Sequence, residues 1–215
     1  MTAPRVLLIG GPSHAGKSTL AESMAKRFGW RHVSTDSLAR HPGLPWKTEA
    51  RSAVPQHVSD HYLSLSVDEL ITDVMGHYEK VWPRIEQLVV SHIAADSGAG
   101  LIVEGSAVLP ERAAALDRDR IAVLWLTADP ALLKARIHAS SGFERCADFE
   151  KGLIAKFVQR NERYDELRAE AANRPGLLSI GVQTADTLGE LTERCITLLG
   201  IGIAPGPRRV SARHT

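Results

Sequence analysis

Directly after the apolar run Val6-Leu7-Leu8-Ile9, the chain reads Gly11-Pro12-Ser13-His14-Ala15-Gly16-Lys17-Ser18, a match to G-x-x-x-x-G-K-[ST]. A strand, then a glycine-rich loop, then a helix is the context in which this pattern cradles phosphate. An amphipathic stretch over 20–28 supplies the helix. The loop's backbone N–H groups curl around a phosphate chain, and the helix N-terminus adds its positive dipole end. Gly11 and Gly16 permit backbone conformations and a close phosphate approach that a Cβ hinders. Lys17 is expected to be exposed on the loop and to reach the β- and γ-phosphates, while the Ser18 hydroxyl ligates Mg²⁺. The binding segment expected for a nucleoside triphosphate is thus Gly11, Pro12, Ser13, His14, Ala15, Gly16, Lys17, Ser18 and Thr19.

The rest of the chain alternates short apolar runs with longer helical patterns, which predicts an α/β fold built on a parallel sheet. Five runs read as strands, over 6–9, 31–34, 101–103, 121–126 and 177–180. Their continuous apolarity fits strands covered by helices on both faces, a three-layer α/β/α sandwich. Helix starts are marked by Asp129-Pro130 and by two capping boxes, Ser66-Val67-Asp68-Glu69 and Thr187-Leu188-Gly189-Glu190. From Val67 to about Ile93 apolar residues recur at helical spacing, and Pro83 should kink or divide that helix. Residues 41–64 are proline-punctuated, rich in His and without a clean period. We expect one domain over 1–203, with 41–95 as an inserted helical region for a second substrate and 204–215 as a disordered tail.

The 215 residues, 44% of them hydrophobic, suffice for a full core, and a net charge of +1 gives no reason to expect nucleic acid or an anionic membrane as partner. No apolar stretch approaches a membrane span, and the strand beginning at Val6 leaves no room for a signal peptide. Cys146 and Cys195 lie far apart without a CxxC partner, which predicts free thiols in a reducing cytoplasm.

Phosphate-binding loops occur in switches, motors and kinases. The N/T-K-x-D guanine motif of GTPases is absent, and the third strand ends Val103-Glu104-Gly105 rather than in the Asp common to motor ATPases. Instead an Asp follows the short second strand, His32-Val33-Ser34-Thr35-Asp36. With Trp125-Leu126-Thr127-Ala128-Asp129 and the arginine-bearing segment Phe157-Val158-Gln159-Arg160-Asn161-Glu162-Arg163-Tyr164, these residues resemble the P-loop small-molecule kinases. The likeness is to the group containing zeta-toxin-like, chloramphenicol phosphotransferase-like and 2-phosphoglycerate kinase-like proteins.

That resemblance implies an ATP- and Mg²⁺-dependent phosphotransferase acting on a hydroxyl of a small-molecule acceptor, as a monomer or homodimer. The alternatives are a zeta-toxin-like kinase acting on a nucleotide sugar or a macromolecule, and a nucleotide-binding regulatory module. It implies that Asp36 lies beside the transferred phosphoryl group, accepting the acceptor's proton or holding Mg²⁺ through water; the competing reading is a helix N-cap. Glu104 would bind Mg²⁺ through water or contact the acceptor, or else cap the Gly105-Ser106 backbone. Ser18, Asp36 and Glu104 are the candidate metal residues. Catalytic cations are expected from Lys17, from Arg136 (first choice for a phosphate or adenine contact) and from Arg160, with a flexible lid over 140–145 carrying Arg145. Arg40, Trp46, His57 and His61 are candidates to meet the acceptor. His14 points near the phosphates or faces solvent.

Overall fold

A computed structural model describes residues 4–39, 43–49, 51–95, 98–116, 119–173 and 177–201. Arg40, His41, Pro42 and the tail expected to be disordered lie outside them. Five parallel strands, β1 (Val6–Gly10), β2 (Arg31–Ser34), β3 (Leu101–Glu104), β4 (Ile121–Ala128) and β5 (Leu178–Val182), form one sheet in the order β2-β3-β1-β4-β5. β1 lies at the centre, with Val6 level with Leu101 on one side and Ile121 on the other.

Each central strand splits its side chains between two cores, which explains the continuous apolar runs. Val6, Leu8, Leu101, Val103, Val123 and Trp125 enter one core; Leu7, Ile9, Ile102, Leu124 and Leu126 enter the other. The first core is closed by α3 (Val67–Ala94), by Ala113 of α4 (Pro110–Ala114) and by Tyr164 of α6 (Asp148–Ala172). The second is closed by α1 (Lys17–Phe28), α5 (Pro130–Ser141) and α7 (Leu188–Leu199). Both expected capping boxes form, and the Asp129 carboxylate caps α5 by accepting the Ala131 N–H at 2.7 Å.

Pro83 does not divide its helix, and the stretch without a clean period contains a defined one. α3 runs unbroken through Pro83, because that residue faces solvent while Val81, Trp82 and Ile85 stay buried on the opposite side. The solvent-facing carbonyl freed by proline is then available to water. Within the stretch that lacked a period, a nine-residue helix, α2 (Gln56–Ser64), forms. It buries Val58 and Tyr62 in a third cluster with Trp46, Leu70, Ile154 and Phe157. The region expected as an insertion is thereby divided: residues 43–49 and α2 belong to this third cluster, whereas most of α3's buried face covers the sheet.

Candidate nucleotide and acceptor site

The carboxyl ends of β1, β2 and β3 converge on a cavity of about 620 Å³, a size typical of small-ligand sites. The loop after β1 forms its floor. Gly11, at φ +143°, passes so close to the Leu126 carbonyl that a Cβ would come within 2.5 Å of it. Gly16, at φ +98°, starts α1. Ser13, His14, Ala15, Gly16, Lys17, Ser18 and Thr19 line the cavity as expected. Gly11 and Pro12 lie behind them: the Pro12 carbonyl accepts the Lys17 ammonium at 2.7 Å.

That bond corrects the expectation of an exposed Lys17, which is only 7% accessible. The ammonium folds back onto the loop because the Pro12 carbonyl replaces part of its lost hydration. Burial lowers its pKa, while Glu104, Asp36 and Asp165 pull it upward.

Glu104 ends β3 at 1% exposure and accepts the Ser18 hydroxyl at 3.1 Å, with His32 Nε2 3.6 Å away. The Gly105 N–H goes to the Ile9 carbonyl at 3.0 Å, which leaves the Glu104 carboxylate to Ser18. Asp36 lies at the cavity wall in a short turn, Thr35–Ser37, whose cap is the Ser34 hydroxyl accepting the Asp36 N–H at 3.4 Å. The capping role thus falls to Ser34, and the exposed Asp36 carboxylate accepts no hydrogen bond from the described residues. Ser18, Glu104 and Asp36 present only oxygen donors. No group of three or more His, Cys, Asp or Glu among the described residues could hold a metal ion. One hydroxyl and two carboxylates, Ser18 with Glu104 and Asp36, fit Mg²⁺, which keeps several waters and takes substrate phosphate oxygens.

The two candidate arginines sit at different ends. Arg136 of α5 donates to the His14 and Ala15 carbonyls at 3.1 and 3.2 Å and influences Asp186, near Thr187 and Leu188 at one end of the cavity. Arg160 of α6 is buried beside Tyr62 and Phe157. Arg163, read as its neighbour, pairs with Glu166 on the surface. The expected lid over 140–145 is a folded corner: α5 ends at Gly142, a single turn Phe143–Arg145 follows, and Phe143 stacks on His138 at 3.8 Å. Arg145 is exposed there and does not line the cavity. Trp46 is locked in the third cluster, His57 is exposed, and His61 lies 3.6 Å from Asp73; none of the three lines the cavity.

Sequence reasoning missed Asn161, Tyr164, Tyr78 and Tyr62. Asn161 clasps the loop on both sides of one residue, accepting the Ser13 N–H at 2.9 Å and donating to the Ser13 carbonyl at 3.1 Å. Tyr164 donates to the Ser106 carbonyl at 2.6 Å, and the Ser106 hydroxyl donates to the Gly11 carbonyl at 3.1 Å. The available signal was the spacing of Phe157, Arg160, Asn161 and Tyr164, which puts all four on one helical face. His14, at φ +64°, meets both Ser13 and Ser140 through its ring nitrogens, at 3.0 and 2.9 Å.

No family model matches the chain. It is 32% identical over 106 residues to a tRNA dimethylallyltransferase of Caulobacter sp. (strain K31), covering 49% of this chain and 33% of that protein. It is 24% identical over 199 residues to a 2-phosphoglycerate kinase of Methanothermobacter thermautotrophicus, covering 84% of this chain and 62% of that one. The chain therefore spans less than two thirds of the length of either relative. Among solved structures, a sugar kinase from Janibacter sp. superposes with a TM-score of 0.51 at 19% identity, over 92% of this chain and 95% of that one. A shikimate kinase from Bacteroides thetaiotaomicron superposes with a TM-score of 0.50 at 15% identity, over 91% and 98%. Among the described residues no helix is long and apolar enough to cross a membrane. The phosphate-binding loop on the first strand, the parallel sheet in this order and these superpositions give the chain the fold of the P-loop small-molecule kinases.

Proposed function

We propose that this protein transfers the γ-phosphoryl group of ATP to a hydroxyl of a small-molecule acceptor. The observation that carries the reading is Asp36: a carboxylate that accepts no hydrogen bond from the described residues, lining the same cavity as Lys17 and the Ser18–Glu104 pair. Asp36 accepts the hydroxyl proton, the hydroxyl oxygen bonds to the γ-phosphorus, and the bond to the β–γ bridging oxygen breaks to release ADP. Lys17 exchanges the Pro12 carbonyl for phosphate oxygens, and Arg136 holds the loop's curvature through the His14 and Ala15 carbonyls. Ser18 and, through water, Glu104 would hold Mg²⁺, which would supply charge neutralisation at the phosphates.

ADP release measured over a panel of alcohols tests this. Lys17→Ala is expected to lower transfer by orders of magnitude while the protein still unfolds as one cooperative unit. Asp36→Asn should keep affinity for an ATP analogue and lose about 10²–10⁴-fold in turnover. Near-normal turnover by Lys17→Ala would overturn the reading. The likeness to tRNA dimethylallyltransferases supports a second one, in which the loop holds the diphosphate of a prenyl donor. Prenyl transfer from dimethylallyl diphosphate to tRNA, without acceptor-dependent ADP release, would establish it instead.

A further inference from the structure

We propose that His32 is a positioning residue, whose imidazole holds the Glu104 carboxylate in the orientation that serves a cation at Ser18. This rests on the Mg²⁺ role given to Ser18 and Glu104, and on no other part of the phosphotransferase reading. His32 of β2 is level with Ile102 of β3, and Ser34 is level with Glu104. Side chains alternate between the two faces of a strand, so His32, Ser34, Ile102 and Glu104 share one face. Ile102 enters the core closed by α1, and Ser18 is the second residue of α1. Strand register thus brings His32 to within one diagonal step of Glu104, on the face that Ser18 approaches.

Glu104 is buried, and among the described residues its one hydrogen bond comes from the Ser18 hydroxyl, 3.1 Å from Oε1. His32 Nε2 lies 3.6 Å from the same oxygen. That nitrogen is itself buried and has no hydrogen-bond partner among the described residues. A buried carboxylate with a single neutral donor and a buried ring nitrogen with no partner each carry a desolvation cost. At 3.6 Å the two are not hydrogen-bonded, and a small rotation of either side chain closes the gap. The nitrogen facing a carboxylate carries the proton, because a bare nitrogen would set lone pair against lone pair; the structure assigns the proton to Nε2.

Outer partners of this kind orient the carboxylates and hydroxyls that serve a metal. Ser18 gives its proton to Oε1 and keeps its lone pairs for the cation. With one neutral donor alone, the Glu104 carboxylate can swing about its last bond. His32 as a second donor pins Oε1 and leaves Oε2 to accept from a metal-bound water in the cavity, which Glu104 lines.

The test reads the metal apart from turnover. Mn²⁺ standing in for Mg²⁺ is titrated with ADP present and followed by EPR, and ADP alone is titrated in EDTA by calorimetry. Loss of an outer partner typically costs about 10–100-fold in metal affinity. His32→Leu, which fills the space without a donor, is expected to weaken Mn²⁺ by about tenfold or more, with a far smaller effect on ADP in EDTA. His32→Gln, whose amide can donate, is expected to recover most of that loss. In ADP-release assays His32→Leu should raise the Mg²⁺ needed for half-maximal rate, with kcat recovered at saturating Mg²⁺.

Unchanged Mn²⁺ affinity in His32→Leu would overturn the proposal. So would an equal loss of ADP affinity with and without metal, which would make His32 a general support of β2. Long-range proton–nitrogen NMR on the unaltered protein with Mg²⁺ and ADP needs no substitution and decides even if His32→Leu fails to fold. A protonated Nε2 is expected, and a bare Nε2 would sink the assignment. A metal affinity that depends on His32, with no ADP release over the panel of alcohols, would remove the phosphotransferase reading and leave the role of His32 standing.

Discussion

His14 and Asp165 link stability to pH in opposite directions. Burial first, then the charges of Lys17 and Arg136, push the His14 imidazole down to about 4 from 6.5. The unfolded chain therefore takes up a proton there between pH 6.5 and 4 that the folded protein refuses. That stability is complete above pH 6.5 and is lost as pH falls through the window. Burial, then Glu166, raises the Asp165 carboxyl to about 6 from 3.8 against the pull of Lys17, and one of its oxygens is buried without a partner. Here the folded protein keeps a proton the unfolded chain has released, so stability falls as pH rises from about 4 to 6 and stays lower above. Asp165→Asn is expected to stabilise at pH 7.5 by on the order of 1 kcal/mol, discounted for partial exposure, and to do little at pH 4. His14→Asn, which tolerates the left-handed backbone, should flatten the acid limb between pH 6.5 and 4. Urea unfolding at pH 4, 5.5 and 7.5 checks both, and parallel pH curves for wild type and variants would refute the assignments. Neither behaviour was legible in the sequence. The loop motif names His14, but its environment is set by Ser140, Trp46 and Phe157, brought together only by folding.

α6 shows what element-level patterns carry and what they omit. Arg160 and Arg163 were visible as a pair three residues apart, yet of the two only Arg160 turns inward, and the residue that grips the loop is Asn161. The three central strands were readable to within one or two residues because burial on both faces demands unbroken apolar runs. Capped helices were readable because Ser66, Asp129 and Thr187 cap through local contacts. α2 lies inside the region expected to be helical, but its bounds were not legible: it starts after Pro55 with no side-chain cap and buries only Val58, Ser59 and Tyr62. The Asn161 clasp gives a prediction of its own. Asn161→Leu should weaken binding of an ATP analogue by about tenfold or more, because a loop amide and carbonyl lose their partners together. Asn161→Asp, which can accept the Ser13 N–H but cannot donate to its carbonyl, should fall between. Calorimetric titration with the analogue decides, and unchanged affinity in Asn161→Leu would show that the loop holds its shape without α6.

The cavity joins pieces from distant parts of the chain, and one aromatic chain of contacts ties them to the loop. His14 lies 5.9 Å from Trp46 and 6.2 Å from Phe157, and Trp46 meets Phe157 edge-on at 4.8 Å between ring centres. Through these rings the 43–49 segment, α6 and the phosphate-binding loop touch at one point. A kinase must keep water from the γ-phosphate, and closure around both substrates achieves this. Because 140–145 is a folded corner, closure is expected to move it with α5 and α6 as a unit. Hydrogen exchange should therefore show 43–49 and α2 protected together with the α5–α6 corner when an ATP analogue and an acceptor are both bound. Trp46→Phe shortens the contact to His14 while keeping an aromatic ring in the cluster. It should loosen closure and let water compete, raising ADP formed per acceptor phosphorylated several-fold, while affinity for the ATP analogue changes little. The ratio of ADP to phosphorylated product, measured at saturating acceptor, reads this directly. A ratio near one in Trp46→Phe, with exchange as slow as in wild type, would mean that water is excluded at the loop itself, without the aromatic link.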